Sequence, residues 1–414
     1  MTDSDSPSAP TTRFAAFTYQ AYTKYWIARL CTNFATQIVA VAVAWQIYDL
    51  TRDPFDLGII GLVQFLPLLL LVLITGAVAD RFGRKLVMAI SIAGQFLCTL
   101  AILYFSWRGL TSPMPIFIAL AGLGITRAFF GPASQSLTVN LVPTHIFPNA
   151  VAWNSSSWQL ASIVGPVMGG LLYGLGANVP YFTATILLLL GLVLTVKIPK
   201  PAVRAHIQKA SFSSLFDGLR YIRKEKVVLG AISLDLFAVL LGGAVALLPV
   251  YARDVLELGP WGLGMLRAAP GIGALIIAAW LAASPIRNHA GRIMFGCVAL
   301  FGFFTIVFGL STITWLSVIA LALVGAADMV SVYIRETLLQ LWTPDEVRGR
   351  VNAVNMVFLG ASNELGEFRA GFMAAWIGVV PAVVFGGVGA IAVAGIWAWK
   401  FPQLRDARHL EHRD

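Results

Sequence analysis

Glu364 and Glu367 lie three residues apart inside a long apolar stretch near the C-terminus. At that spacing two residues are neighbours on one helical face. Like charges in a low-dielectric setting repel, so the pair is expected to hold one proton near neutrality. A pair that takes and releases a proton is what a coupling site requires. Asp328 and Arg335 are seven apart in another apolar stretch, again on one face. They can neutralise each other or take part in coupling. Asp235 and Arg127 stand in two further stretches. A charge at membrane depth is costly, so it either braces helices or lines a wet pathway. Arg127, Asp235, Asp328, Arg335, Glu364 and Glu367 are therefore the candidates for coupling a proton to a substrate. Of these, the Glu364–Glu367 pair is expected to carry the proton as one coupled site.

Other chemistries find little support. His145, His206, His289, His409 and His412 all fall in loops or the tail, so a protonatable group at depth must be a carboxylate. Cys31, Cys98 and Cys297 are far apart and form neither a disulfide framework nor a metal-ligand cluster. No nucleophile–base set and no Gly-rich phosphate loop is present, so an enzyme, ATP drive, a metal or an organic cofactor is not expected. A proton gradient is the expected energy source.

The elements that hold these charges are set by composition. The chain of 414 residues is 58% hydrophobic and 12% charged. Soluble domains carry about 25% charged residues, so the usual solvated exterior cannot be built. Runs long enough to cross a bilayer need about 20 apolar residues. Twelve are expected, near 24–48, 54–79, 86–107, 113–139, 149–175, 179–198, 227–251, 260–283, 292–311, 314–341, 350–378 and 380–401. Their continuity, in a medium where the backbone must satisfy itself, predicts helices. The fold class is thus an all-α membrane protein. Residues 1–23 form an N-terminal tail without a cleavable signal, and 403–414 a C-terminal tail. Between two six-span halves, 24–198 and 227–402, runs a basic linker over 199–226. Its stretch 211–222 has apolar residues at helical spacing and predicts an amphipathic surface helix.

The net charge of +9 reports topology rather than nucleic acid. With the N-terminus inside, the external loops hold only Arg52, Arg108 and Arg253, while most other Lys and Arg lie in internal segments. That bias places both termini in the cytoplasm. Anionic lipid is the expected partner of the basic segments.

Uncharged polar residues mark a central cavity. Arg29, Asn33 and Gln37 recur every four residues on span 1, and Asn154, Trp158 and Ala161 share a face of span 5. Gln64 and Asn355 add to them. A lone polar residue in a span is more often interhelical glue. Several stripes together predict a wet cavity, whose Trp and Phe neighbours suit an amphipathic or aromatic substrate.

Two motifs carry a resemblance. Gly76-Ala77-Val78-Ala79-Asp80-Arg81-Phe82-Gly83-Arg84-Lys85 follows span 2. It resembles the loop signature of the major facilitator superfamily, Gly-x-x-x-Asp-Arg-x-Gly-Arg-Lys. In that family the loop latches the two halves, which assigns the role to Gly76, Asp80, Arg81, Gly83, Arg84 and Lys85. The loop over 284–292 looks like a decayed second copy. Span 5 carries Gly165-Pro166-Val167-Met168-Gly169-Gly170, similar to the signature of the superfamily's exporters, in which Gly165, Pro166, Gly169 and Gly170 form a kinked, closely packed segment. Arg127 and Gly131 resemble a further Arg-x-x-x-Gly element. The stretch from Pro344-Asp345 through Gly349-Arg350-Val351 looks like that of the branch containing enterobactin exporters and macrolide efflux pumps. The resemblance implies a monomeric secondary transporter of the bacterial inner membrane. It would export a small siderophore-like or drug-like molecule by alternating access. An uptake symporter and a non-transporting receptor or assembly factor on the same fold are the competing readings.

Overall fold

The computed structural model describes residues 13–199, 219–286 and 288–406, and the regular structure among them is helical. The first long helices are α1 (Gln20–Thr51), α2 (Pro54–Phe82), α3 (Arg84–Arg108), α4 (Met114–Thr138), α5 (Phe147–Leu175) and α6 (Val179–Val196). They are followed by α7 (Lys226–Gly242), α8 (Gly259–Ala283), α9 (Ala290–Leu310), α10 (Thr314–Trp342), α11 (Asp345–Ile377) and α12 (Val379–Lys400). Local chemistry sets several boundaries. Asp53 caps α2 by accepting from the Phe55 amide at 2.9 Å, and Pro54 opens the helix where no amide is needed. Gly83, at φ +88°, makes the turn between α2 and α3.

Among the described residues, eleven segments are long and apolar enough to cross a membrane, the seventh running from Lys226 to Val255. The expected span over 350–378 is helical as α11, but Glu364, Glu367 and Arg369 keep it more polar than the others. The expected span over 227–251 differs in another way. After Gly242 the helix gives way to a 3₁₀ turn at Val245–Leu247, a short helical piece and a π-helical turn at Tyr251–Val255. Two adjacent glycines and Pro249, which lacks an amide hydrogen, weaken regular helix there. Of the amphipathic helix expected over 211–222, residues 211–218 lie outside the described residues, and 219–224 are helical. The tails over 1–12 and 407–414 also lie outside them.

Within the first six helices α1 packs on α5 and α6, α2 on α4, and α3 on α4 and α6. Within the last six, α10 packs on α8 and α9, α12 on α9 and α7, and α11 on α7. One apolar core, including Ile38, Met88, Ile116 and Tyr181, draws only on residues before 199. A second, with Leu234, Met294 and Leu338, draws only on α7 and later elements. Large apolar side chains such as Leu70, Ile90, Phe182 and Ile276 point outward, as a lipid-facing surface requires.

Two long seams join the groups: α5 along α8 and α2 along α11. Both are built on glycine. A methyl on Gly264 of α8 would sit 2.6 Å from the Pro166 carbonyl oxygen of α5, and one on Gly371 of α11 would sit 2.6 Å from the Gly58 nitrogen of α2. Only the absence of a side chain lets the backbones come this close. The end of the bundle away from the termini is tied further. Asp49 pairs with Arg253, Arg52 with Asp254 at 3.3 Å, and the Tyr48 hydroxyl donates to Asp254. The Arg253 guanidinium also lies over the Trp45 ring at 5.4 Å.

Candidate functional site

Where α2 crosses α11, the small Gly61 lets the second helix present its acids inward. A methyl on Gly61 would meet Oε2 of Glu364 at 3.0 Å and Cβ of Glu367 at 3.4 Å. Both carboxylates line a cavity of about 120 Å³ between the two helix groups. Its other polar walls are Gln64 of α2, Arg127 of α4 and Arg267 of α8. Arg127 donates through Nη1 to Oε1 of Gln64 at 2.5 Å, and its charge is felt by Glu364. Arg267 lines the same cavity as Glu367 and Glu364. The apolar lining comes from Val39, Val43, Leu57, Ile60 and Leu120, with Val245 and Ala246 from the break in the seventh span.

This arrangement changes the reading of the glutamate pair. On their own helix Glu364 and Glu367 have no cation on the same face, but the fold brings two arginines to them from α4 and α8. The two guanidinium and two carboxyl groups are matched in number, so their formal charges balance. The fold thus brings Arg127, which the sequence placed only on its own span, into one cavity with Glu364, Glu367 and Gln64. Arg267 was visible in the sequence but stood apart from the candidates. Its depth was the available signal: Arg267 and Glu367 stand about 12–15 Å from the ends of α8 and α11, at about 1.5 Å per residue.

The remaining charged candidates form a separate cluster. Arg335 of α10 does not pair with Asp328 on its own helix. It reaches across to Asp235 of α7, with side-chain exposures of 3% and 10%. Two turns of α10 separate Asp328 from Arg335, whereas Asp235 faces the guanidinium directly. Asp235 and Asp328 share a small pocket with Ser331, Val298 and Phe301. Removing either partner of such a buried pair costs about 3–5 kcal/mol in soluble proteins.

The polar stripes serve packing more than the cavity. Asn154 is buried, accepts from the Tyr22 hydroxyl at 3.3 Å and donates to Thr138 at 3.2 Å, tying α5 to α1 and α4. Arg29 donates to the Tyr25 hydroxyl in the same network. Asn33 is buried on α1 and Gln37 packs under Gly165, neither on the cavity lining. Trp158 is exposed, and Asn355 donates to Glu336 at 3.1 Å.

The exporter-like stretch of α5 is placed on the seam with α8. Gly169 sits against Ile38 and Val41 of α1, while Gly170 touches the backbone of Pro260 and Gly264. At the start of α3, Arg84 donates to the Ser136 carbonyl at 2.9 Å and Lys85 to the Ile198 carbonyl. Both bonds lie within the first six helices. The Arg81 guanidinium stands over the adjacent Phe82 ring. The surroundings of Gly76 and the side chain of Asp80 lie outside what the structure describes, as does Arg287 of the expected second copy.

The family described as transmembrane secretion effector matches residues 11–412. Among curated relatives, the enterobactin exporter EntS of Escherichia coli (strain K12) is 26% identical over 406 residues, covering 94% of each chain. The enterobactin exporter EntS of Shigella boydii serotype 18 matches to the same extent. Among solved structures, a bacterial homologue of the human lysosomal transporter Spinster, inward-facing and occupied, aligns with a TM-score of 0.75 at 14% identity, covering 94% of this chain and 98% of that one. A bacterial homologue of the iron transporter ferroportin aligns at 0.68 and 15% identity, covering 93% and 98%.

Proposed function

Because the chain belongs to the transmembrane secretion effector family of major facilitator transporters, we propose that it exports a small amphipathic molecule in exchange for protons. It is a multi-pass transporter of the bacterial cytoplasmic membrane and not an enzyme. The observation that carries the proposal is the balanced group of Arg127, Arg267, Glu364 and Glu367 in a cavity between the helix groups. Such a site can accept a polar or ionised substrate by exchanging protein partners for substrate partners. Charges in a low-dielectric setting are expensive to leave unpaired, so occupancy biases which arrangement of the halves is favoured. The apolar lining suits the rest of the molecule. The likeness to enterobactin exporters suggests a siderophore-like aromatic substrate, with drug-like molecules as further candidates.

In this reading α11 is the remaining membrane span, making twelve, and both termini are cytoplasmic. The two six-helix groups are the moving halves, and the glycine seams α5–α8 and α2–α11 are where they slide and rock. The loop after α2, with Asp80 and Arg81, latches them when the carrier opens outward. The protein works as a monomer among anionic lipids.

The test is transport in inverted membrane vesicles against a panel of catechol siderophores, macrolides and cationic dyes. Accumulation of at least one of them that collapses with a protonophore is expected. Accumulation of the same molecule only in right-side-out vesicles would replace export with uptake.

A further inference from the structure

The exporter reading leaves open where the proton binds, and the inference below rests on that reading. We propose that Asp328, backed by Asp235 and Arg335, is the site that takes up and releases the coupling proton. The central group has two arginines for two glutamates, so with all four ionised it is neutral, and adding a proton there leaves a net positive charge at depth. The second cluster has one arginine for two aspartates. Arg335 is committed to Asp235, which leaves Asp328 as the excess acid. With both aspartates ionised this triad carries a net negative charge. When one proton joins a carboxylate oxygen of Asp328 the triad becomes neutral, and loss of that proton restores the ion. No other bond changes.

Placement supports the same assignment. Asp328 stands at the middle of α10, about 21 Å from either end. Its pocket, of about 10 Å³, has room for about one water. The Nε of Arg335, on a side chain 3% exposed, has no hydrogen-bond partner among the described residues. It is therefore free to hold one more oxygen, from a water or from Asp328. The groups facing Asp328 are few. Asp235 comes from α7, Ser331 and Arg335 from α10, while α9 contributes Val298 and Phe301. From α11, Arg369 is engaged by the Leu240 carbonyl and the Met373 sulfur, and Arg267 of α8 belongs to the central cavity. From α12, Trp397 donates to Ser233 of α7. Asp235 and Asp328 sit on α7 and α10, and α7 forms the first part of the seventh span, which breaks after Gly242 beside the cavity. A change of charge in the triad can thus reach the cavity wall at Val245 and Ala246 along one span.

The experiment is an infrared titration of the full-length protein in lipid, without substrate, following the carbonyl band of protonated carboxylic acids from acid to alkaline pH. A buried-carboxyl band that titrates in the wild type should be lost in Asp328→Asn, return in shifted form in Asp328→Glu, and persist in Glu364→Gln and Glu367→Gln. Loss of the band in Glu364→Gln or Glu367→Gln with retention in Asp328→Asn would overturn the assignment, as would absence of any titrating band in the wild type. Folding of each variant is read from its elution profile and thermal transition, and Asp328→Glu keeps the test decisive if Asp328→Asn unfolds. The readout needs neither a substrate nor a direction of transport. Failure of the exporter reading would appear in the vesicle assay with this band unchanged.

Discussion

At the scale of single residues, the cost of an unpaired charge decides most outcomes. Arg127 is held by Gln64 and shares the cavity with Glu364, so Arg127→Ala should remove one of the two cations that balance the glutamates, and a donor for the substrate. Hydrogen bonds to charged groups are worth about 1.5–3 kcal/mol, which corresponds to roughly a 10- to 100-fold loss of substrate affinity. Equilibrium binding of whichever panel molecule is transported measures it, and unchanged affinity would mean that Arg127 only braces helices. The Asp235–Arg335 pair permits a cleaner test. Arg335→Leu alone should lower the thermal transition sharply, because it leaves two aspartates without a cation. Adding Asp235→Leu should recover a large part of the loss. A double variant as unstable as the sum of the two singles would show that the pair is not coupled.

At the scale of helices, the seams set what can move. Gly264 of α8 lies against the Pro166 carbonyl of α5, so Gly264→Leu should force the halves apart at that crossing. The expected result is a protein that inserts normally but has lost proton-linked efflux, read in the same vesicles. Efflux at the wild-type rate would mean that the crossing tolerates separation. The helices themselves were readable from apolar run length, and their order followed from continuity. What the sequence could not give was lateral partnership. Spacing along α10 suggested Asp328 as the mate of Arg335, yet the nearest acid lies on α7. Spacing along α11 left Glu364 and Glu367 without a cation, yet two come from helices distant in sequence. Asn154 looked like cavity lining and proved to be a bond between α5, α1 and α4, because periodicity names a face but not what that face meets. The break in the seventh span was likewise hidden, since Gly and Pro are common in membrane helices that remain regular.

At the scale of the whole molecule, basic residues concentrate in the segments assigned to the cytoplasm. Reporter fusions after Lys200 and after Asp414 should therefore both report a cytoplasmic position, and an external signal from either would invert or break the twelve-span arrangement. The halves also meet far from the termini, through Asp49–Arg253 and Arg52–Asp254, whose side chains are 26–50% exposed. Exposure makes these pairs answer to the medium. The screening length falls from about 8 Å at about 0.15 M ionic strength to about 3 Å at about 1 M. Raising salt on that side alone should weaken the tie and favour opening toward the salt, seen as faster labelling of a cysteine placed in the cavity. The carrier's resting posture would then be set in part by the ionic strength outside the membrane. A bacterium moved into brine would find this door easier to open, before any change in the proton gradient or in substrate supply.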